Sequence, residues 1–192
     1  MEDEERSDWE CAQKVQGGNA DAFEVLVRRH EKRIFNLLYR WLGDSDEAAE
    51  AAQEVFLAAF RAIKSFRGEA SFATWIYRIG VNQAKNRRKG LLLDRQRREA
   101  ARAADPLPGA APDPAAVVEQ MELHGLVQGG LDALQRDDAL IILLHDLQEV
   151  SYEEIGKVLE IPLGTVKSRL HRARQALKSK LATHFGRRKW RP

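Results

Sequence analysis

The sequence is poor in cysteine and in long apolar runs. Cys11 is the single cysteine among 192 residues, so the chain can form neither an intrachain disulfide nor a cysteine-rich zinc site. No apolar run approaches the roughly 18–20 residues that a membrane-spanning helix needs. The N-terminus is acidic and lacks the apolar core of a signal peptide. These absences predict a cytosolic protein without a disulfide or a cysteine-rich zinc site.

Proline is concentrated in one segment, and strand patterns are missing. Four of the six prolines lie in Ala103–Pro114, which has too little apolar bulk to form a core. Elsewhere valine and isoleucine recur at helical rather than alternating spacing. We therefore expect an all-α protein with two small helical domains, the second a helix-turn-helix. The predicted divisions are a domain at 18–90, a flexible linker at 91–117, a domain at 118–182 and a basic tail at 183–192.

Charge is unevenly distributed along the chain, although the formal net charge is only +2. Leu163–Pro192 has ten lysines and arginines and no acidic residue, and Arg78–Arg102 has nine against two acidic residues. Acidic residues are concentrated in Met1–Glu10 and Gly43–Phe60. Two separate basic segments predict two separate contacts with a polyanion such as nucleic acid.

Residues 151–180 have the pattern of a helix-turn-helix. Ser151 and Glu154 have the spacing of a capping box, and Pro162 suits the first position of a second helix. That second helix has an apolar side and a polar side. The polar side carries Lys167, Ser168, Arg169, His171, Arg172 and Arg174. A helix of this kind presents base-contacting groups to the DNA major groove, so the pattern predicts DNA binding.

The segment Ser71–Lys89 predicts a second nucleic-acid surface on a helix. Its polar residues follow one another at three- or four-residue steps: Thr74, Arg78, Asn82, Lys85, Asn86 and Lys89. Such groups read bases and bind phosphates. Aromatic residues beside cations suit unstacked bases. Among these rings we expect Phe72 to lie in the core and Trp75 to be available to DNA.

The predicted helix Asp44–Phe66 has an acidic face with one exposed leucine, Leu57. Glu50 and Glu54 have a spacing that two metal ligands could share, but the helix contains no histidine. The simplest interpretation of the acidic groups is therefore a solvated face. Leu57 among these acids also indicates a protein partner that is basic and partly apolar.

Three segments together resemble bacterial RNA polymerase sigma factors of the sigma-70 family, especially the small extracytoplasmic-function (ECF) type. They are SFATWIYRIGVNQAKNRRK (71–89), SYEEIGKVLEIPLGTVKSRLHRARQAL (151–177) and DEAAEAAQEVFLAAFRAIKSF (46–66), which looks like the family's clamp-binding helix. The resemblance implies a subunit that binds core RNA polymerase, directs it to promoter DNA and helps to open the duplex. It implies no enzymatic activity and no cofactor.

The resemblance also implies a role for each site residue. The clamp of the polymerase would be contacted by Glu50, Gln53, Glu54 and Leu57. The −10 element would be contacted by Arg67, Ser71, Trp75, Arg78, Asn82 and Asn86. The −35 element would be read by Lys167, Ser168, His171 and Arg172, with Thr165, Arg169 and Arg174 on phosphates. An anti-sigma factor is expected as a further partner, and the expected location is the cytoplasm, with the nucleoid.

Some positions depart from the family pattern. Glu160 stands in the helix-turn-helix turn, where a residue tolerant of positive φ, often glycine, is usual. Ala51 and Ala52 stand where larger aliphatic residues are common. We expect a small change of angle at the turn and a thinner clamp helix.

Other functions fit parts of the pattern. An ordinary helix-turn-helix transcription regulator would share the reading helix, but it would not need a second DNA-facing stripe in the first domain. A nucleic-acid enzyme would need clustered carboxylates or a positioned nucleophile, and the nearest approach is Ser168 with His171. A polymerase-binding protein that does not recognise promoters is the third alternative.

Overall fold

A computed structural model describes residues 2–104, 129–131 and 134–185, with only the backbone described for residues 2–6, 91–104 and 183–185. The described residues are helical, with no strand among them. The helices are α1 (Glu2–Gln16), α2 (Ala22–Leu42), α3 (Ser45–Ala62), α4 (Phe72–Ala104), α5 (Arg136–Ile142), α6 (Tyr152–Leu159) and α7 (Leu163–Phe185). A single 3₁₀ turn, Ile63–Ser65, follows α3, and a π-helical turn, Leu143–Leu147, extends α5.

The helix-turn-helix forms where the sequence predicts it. Ser151 and Glu154 make both hydrogen bonds of the capping box at the start of α6. Glu160 follows the last residue of α6 with φ 56°, in the left-handed region. The turn therefore has the positive φ expected at this position, although the residue is not glycine. The Pro162 carbonyl accepts the Val166 N–H at 3.1 Å, which places Pro162 at the N-cap of α7 rather than inside it. The chain passes close to Gly156 at this turn, since a Cβ there would lie 3.0 Å from the Ile161 carbonyl oxygen.

The first domain is a bundle of α1, α2, α3 and the first half of α4. Its largest buried side chains include Trp41, Phe72 and Ile76, so Phe72 is a core residue as predicted. The Trp41 indole donates to the Ala84 carbonyl at 3.1 Å, which joins the end of α2 to the middle of α4. The second domain packs α5, the π-helical turn, α6 and α7 around the buried side chains Leu140, Ile141, Leu144, Ile155, Val166 and Leu170.

Two boundaries differ from those predicted. The acidic segment before residue 18 lies outside the predicted first domain, but it forms α1, which packs on α2, α4 and the 3₁₀ turn. The helix expected to end at Lys89 continues to Ala104, into residues predicted as linker. Leu91–Arg102 lacks a clear apolar face, but seven of its twelve residues are arginine or leucine, whose helix propensities are high. The rest of the predicted linker, 105–117, and the tail 186–192 lie outside the described residues.

A buried carboxylate attaches α1 to α2. Asp8 accepts from His30 Nε2 at 2.7 Å and from Arg29 Nη1 at 2.8 Å, and Asp8 and His30 are both buried. Burial by itself raises the pKa of Asp8, but the hydrogen bonds from His30 and Arg29 bring that pKa below its ordinary value. The ionised carboxylate therefore stabilises the folded protein at neutral pH.

We predict that Asp8→Ala lowers the free energy of unfolding by roughly 1–3 kcal/mol at pH 7, because it leaves the buried His30 without its acceptor. The pKa of Asp8 is lowered in the folded state, so this stabilisation is present above about pH 4 and is lost as the pH falls further. The difference between wild type and variant in urea-induced unfolding should therefore shrink in acid.

Glu24→Ala is the matched control. The Glu24 carboxylate pairs with Arg28 on the exposed side of α2, four residues along the same helix. Such a pair contributes about 0.3–0.5 kcal/mol. Equal losses of stability in the two variants at pH 7 would contradict the role given to Asp8.

Candidate nucleic-acid interface

The polar side of α7 is divided into an exposed face and an ion-paired flank. Lys167, Ser168, His171 and Arg172 are exposed, opposite the buried Val166, Leu170 and Ala173. Within this face the contacts are local: Ser168 Oγ donates to the Thr165 carbonyl at 3.1 Å, and Arg172 Nε donates to the Ser168 carbonyl at 3.4 Å. We name Lys167, Ser168, His171 and Arg172 the reading face.

The flank of α7 holds the residues predicted to bind phosphate. Arg169 Nη1 pairs with Asp137 at 3.2 Å, and Arg174 Nε donates to Asp146 at 3.1 Å. Thr165 is half-buried. The pattern of α7 alone does not indicate these acidic partners, because Asp137 and Asp146 lie about 30 residues earlier in the chain.

Part of the stripe predicted on α4 lies against the second domain and does not face solvent. Thr74 is buried, and its hydroxyl donates to Glu154 Oε1 at 2.8 Å. Arg78 pairs with Glu160, and Lys85 Nζ lies 3.0 Å from Asp137 Oδ1. Further along α4, Asn82 and Asn86 are exposed. The two domains therefore meet through hydrogen bonds and ion pairs made by polar residues of the predicted α4 stripe.

Glu154 is the most heavily used acceptor in this interface. Its Oε2 accepts the Ser151 hydroxyl at 2.8 Å and the Ser151 N–H at 3.2 Å, which completes the capping box of α6. Its Oε1 accepts from Thr74 and, at 3.3 Å, from the Ser71 hydroxyl. Burial raises the pKa of Glu154, but the hydrogen bonds from Ser151, Thr74 and Ser71 bring it below its ordinary value.

Asp137 links three elements in the same interface. It accepts from Lys85 of α4 and from Arg169 of α7, while it belongs to the first turn of α5. The hydrogen bond from Lys85 is the largest cause of its lowered pKa; burial opposes the shift and Arg169 adds to it. Asp137 therefore stays ionised near neutral pH and neutralises one cation from each of the two predicted DNA surfaces.

A cavity of about 500 Å³ lies between α4 and the loop that precedes it. Arg67, Trp75 and Arg78 line it together, so three of the residues predicted to contact the −10 element share one site. The Trp75 ring lies 5.2 Å from that of Phe66 between centroids. Lys157 of α6 also lines the cavity, and the sequence pattern did not single it out. Cations beside a half-buried indole suit an unstacked base and its phosphate.

A second cavity, of about 860 Å³, is an apolar groove between α2 and α3. Its lining includes Phe23, Val27, Phe35, Phe56, Leu57 and Phe60. Leu57 is 54% exposed and Phe60 is 42% exposed, so part of this apolar surface is open to solvent. Of the residues predicted to contact the polymerase, Gln53 and Leu57 line the groove.

Glu50 and Glu54 are exposed beside the groove, as the expected solvated face requires, but they also take part in ion pairs that the sequence did not indicate. Arg87 of α4 pairs with Glu47 at 2.6 Å, with Glu54 at 3.1 Å and with Glu50. The acidic residues of α3 are thus partly neutralised from within the protein. Sequence spacing gave no sign of this, because Arg87 lies 33 to 40 residues away from its partners.

The described residues offer little for metal binding or membrane insertion. Among them, no group of three or more histidine, cysteine, aspartate or glutamate side chains is placed to hold a metal ion. Within the same ranges, no helix combines the length and apolar character needed to cross a membrane.

Comparison with known protein families gives two matches that together cover most of the chain. A family model described as Sigma-70 region 2 matches residues 26–98, and one described as Sigma-70, region 4 matches residues 124–177. RNA polymerase sigma-H factor of Pseudomonas aeruginosa is 35% identical over 183 residues, which covers 90% of this chain and 93% of the relative. ECF RNA polymerase sigma-E factor of Escherichia coli K12 is 35% identical over 188 residues, covering 93% and 96%.

Solved structures show the same fold. CnrH, solved in complex with the cytosolic domain of CnrY, has a TM-score of 0.72 at 22% identity and covers 92% of this chain and 98% of its own. The sigma factor RpoE, solved with the anti-sigma factor NepR from Bartonella quintana, has a TM-score of 0.60 at 20% identity, covering 83% and 96%. The predicted all-α fold with a helix-turn-helix is confirmed. The chain belongs to the sigma-70 family and, within it, to the ECF type, whose members are not enzymes but direct RNA polymerase to promoters.

Proposed function

We propose that this sigma factor contacts the −10 element with α4 and its preceding loop, reads the −35 element with α7, and assists strand opening. The observation that carries the proposal is the cavity shared by Arg67, Trp75 and Arg78. A protein that reads only duplex DNA has no need for a cationic, aromatic cavity, whereas a base flipped from the stack needs one. This favours a promoter-opening factor over an ordinary helix-turn-helix regulator.

Within the −10 surface, Arg67, Trp75 and Arg78 would receive the base, while Ser71, Asn82 and Asn86 would contact the strand beside it. Within the −35 surface, the reading face would contact base edges in the major groove. Thr165, Arg169 and Arg174 would lie closer to phosphates. For the domain division 18–90, 91–117, 118–182 and 183–192 we propose one change. The first domain includes α1 and the extension of α4, which leaves 105–117 as the linker.

We assign the polymerase clamp contact to the apolar groove and its rim. Leu57 and Gln53 would contact the clamp directly, and Glu50 and Glu54 would present the remaining acidic charge to basic groups at the edge of the contact. The exposure of Leu57 and Phe60 supports this, because single domains rarely leave contiguous apolar surface open without a partner.

Promoter binding requires the two domains to separate. Contacts one and a half to two helical turns apart on DNA are roughly 50–70 Å apart, at about 34–36 Å per turn. Here the stripe of α4 touches α6, and Asp137 binds cations from both α4 and α7. The arrangement is therefore a closed form. Core RNA polymerase would hold the domains apart, and an anti-sigma factor would hold them together.

An anti-sigma factor is proposed as a partner on two grounds. The closed arrangement covers part of the −10 surface, so a protein that binds both domains would keep the factor inactive. RpoE, which shares the fold, was solved with NepR, an anti-sigma factor. A factor that acts on chromosomal DNA works in the cytoplasm, and we propose that it is associated with the nucleoid there.

The test is run-off transcription with the purified protein and bacterial core RNA polymerase on a library of random promoters. Defined start sites that share two motifs, one and a half to two helical turns apart, would establish the proposed promoter contacts. Binding to DNA without polymerase, and no initiation with it, would instead indicate an ordinary regulator.

We predict that Arg172→Ala relaxes base preference at one position of the −35 motif by roughly 1–3 kcal/mol, the value of a bidentate contact with guanine. The library readout gives this number directly. Lys178→Ala is the control, since Lys178 is exposed on α7 beyond the reading face. Uniform weakening on every sequence would show that Arg172 binds phosphate only.

We predict that Leu57→Asp lowers affinity for core polymerase at least about tenfold, because it places a charge in an apolar contact. Binding of labelled protein to core enzyme measures the loss. Leu147→Asp is the control, because Leu147 is similarly exposed, at 48%, but lies in the second domain. Unchanged affinity for Leu57→Asp would place the clamp contact elsewhere.

We predict that Thr74→Val separates the two domains of the free protein. It removes the hydroxyl that donates to Glu154 and leaves the capping box of α6 intact. A hydrogen bond to a charged group is worth roughly 1.5–3 kcal/mol, so the ratio of closed to open forms should fall about tenfold or more. Small-angle X-ray scattering should show a larger radius of gyration.

Glu154→Ala should open the protein in the same experiment, and Glu153→Ala should not, because Glu153 is exposed on the neighbouring position of α6. A radius of gyration that is the same in wild type, Thr74→Val and Glu154→Ala would contradict the closed form as the resting state of the free protein.

A further inference from the structure

We infer that α1 positions the loop that forms the −10 cavity, with Gln16 and Trp9 as its positioning residues. The inference rests on the proposed function, in which the cavity of Arg67, Trp75 and Arg78 receives an unpaired base. Neither Gln16 nor Trp9 lines that cavity, so each acts through the loop between α3 and α4.

Gln16 holds the beginning of this loop by its backbone. Its side-chain amide Nε2 donates to the Ile63 carbonyl at 2.8 Å and to the Phe66 carbonyl at 2.7 Å. Both acceptors are backbone atoms: Ile63 begins the 3₁₀ turn, and Phe66 follows its last residue, where the chain continues to the cavity. One amide group thus fixes the position of the Phe66 backbone, from which Arg67 follows.

Trp9 holds the middle of the loop by contact. A Cβ built on Gly68 would lie 2.8 to 3.1 Å from ring atoms of Trp9, so the indole lies directly on the Gly68 backbone. Gly68 has φ +71°, a conformation that side-chain-bearing residues rarely adopt. The Trp9 ring also meets the Phe66 ring edge-on, with centroids 5.5 Å apart.

The contacts continue from α1 to the cavity wall. Phe66 is buried between Trp9 on one side and Phe72 and Trp75 on the other, with centroid distances of 5.6 Å to Phe72 and 5.2 Å to Trp75. A shift of Phe66 would therefore move the wall that Trp75 provides and the Arg67 guanidinium beside it.

Contacts with the rest of the first domain anchor α1 itself. Asp8 attaches the helix to α2 through His30 and Arg29, and Ala12 and Val15 of α1 are buried in the core. These anchors and the two loop contacts lie on the same 15-residue helix. A preformed cavity reduces the ordering cost of binding a flipped base, and it fixes which base fits.

The test measures the base preferences of the Gln16→Met variant at the −10 and −35 elements, by run-off transcription on the random promoter library. Methionine keeps the length of the side chain and removes its N–H donors. We expect discrimination at the −10 position read by the cavity to fall about tenfold, the effect of losing two ordinary hydrogen bonds. The −35 preference and the affinity for core polymerase should be unchanged.

Gln13→Met is the matched control, since Gln13 is an exposed glutamine of the same helix. Trp9→Leu is a second variant with the same expected loss, whereas Trp9→Phe, which keeps a ring over Gly68, should restore most of the discrimination. Circular dichroism confirms that each variant is folded, and Trp9→Leu decides the test if Gln16→Met does not fold.

Unchanged −10 discrimination in folded Gln16→Met or Trp9→Leu, or an equal loss of −10 and −35 discrimination, would overturn the inference. An equal effect of Gln13→Met would overturn it as well. Failure of the proposed function would be seen separately, because the wild-type protein would then select no −10 motif on the library.

Discussion

The carboxylate of Glu154 connects the local structure of one domain to the position of the other. With one oxygen it caps α6, and with the other it accepts from Thr74 and Ser71 of the first domain. Removing a carboxylate from water is costly unless donors replace the lost hydration, and here four hydrogen bonds do so. The domains therefore close with no uncompensated charge, and when they part, water can replace the two donors that are lost.

Two ion pairs across the interface are contacts that DNA can displace. Arg78 with Glu160 and Lys85 with Asp137 are partly exposed ion pairs, which typically contribute no more than about 1 kcal/mol each. A promoter offers a dense row of phosphates to the same cations, with release of counterions as an added driving force. In the closed form, Glu160 and Asp137 thus pair with the proposed DNA-binding cations weakly enough for DNA to displace them. The reading face of α7 stays exposed throughout, so the closed form covers the −10 surface more than the −35 surface.

Much of the fold follows from short-range patterns. The capping box of Ser151 and Glu154, the turn at Glu160 and the apolar side of α7 depend on neighbours within about one helical turn, so spacing along the sequence predicts them. The same reasoning placed Phe72 in the core and Trp75 at a partly open position. It failed at the end of α4, because residues 91–104 are rich in arginine, leucine and alanine, whose high helix propensity continues a helix without a clear apolar face.

The sequence by itself determined that this protein is helical, that its second domain is a helix-turn-helix, and which side of α7 is polar. Only the tertiary structure decided which of the polar residues are already engaged. Arg87 binds the glutamates of α3, Asp137 binds Lys85 and Arg169, Glu154 binds Thr74, and Gln16 binds the loop at Phe66. The partners in these pairs are 32 to 80 residues apart in the chain. Such pairs form only once the helices are packed, and that packing comes from the summed burial of many apolar side chains, which no local spacing of charged residues reveals.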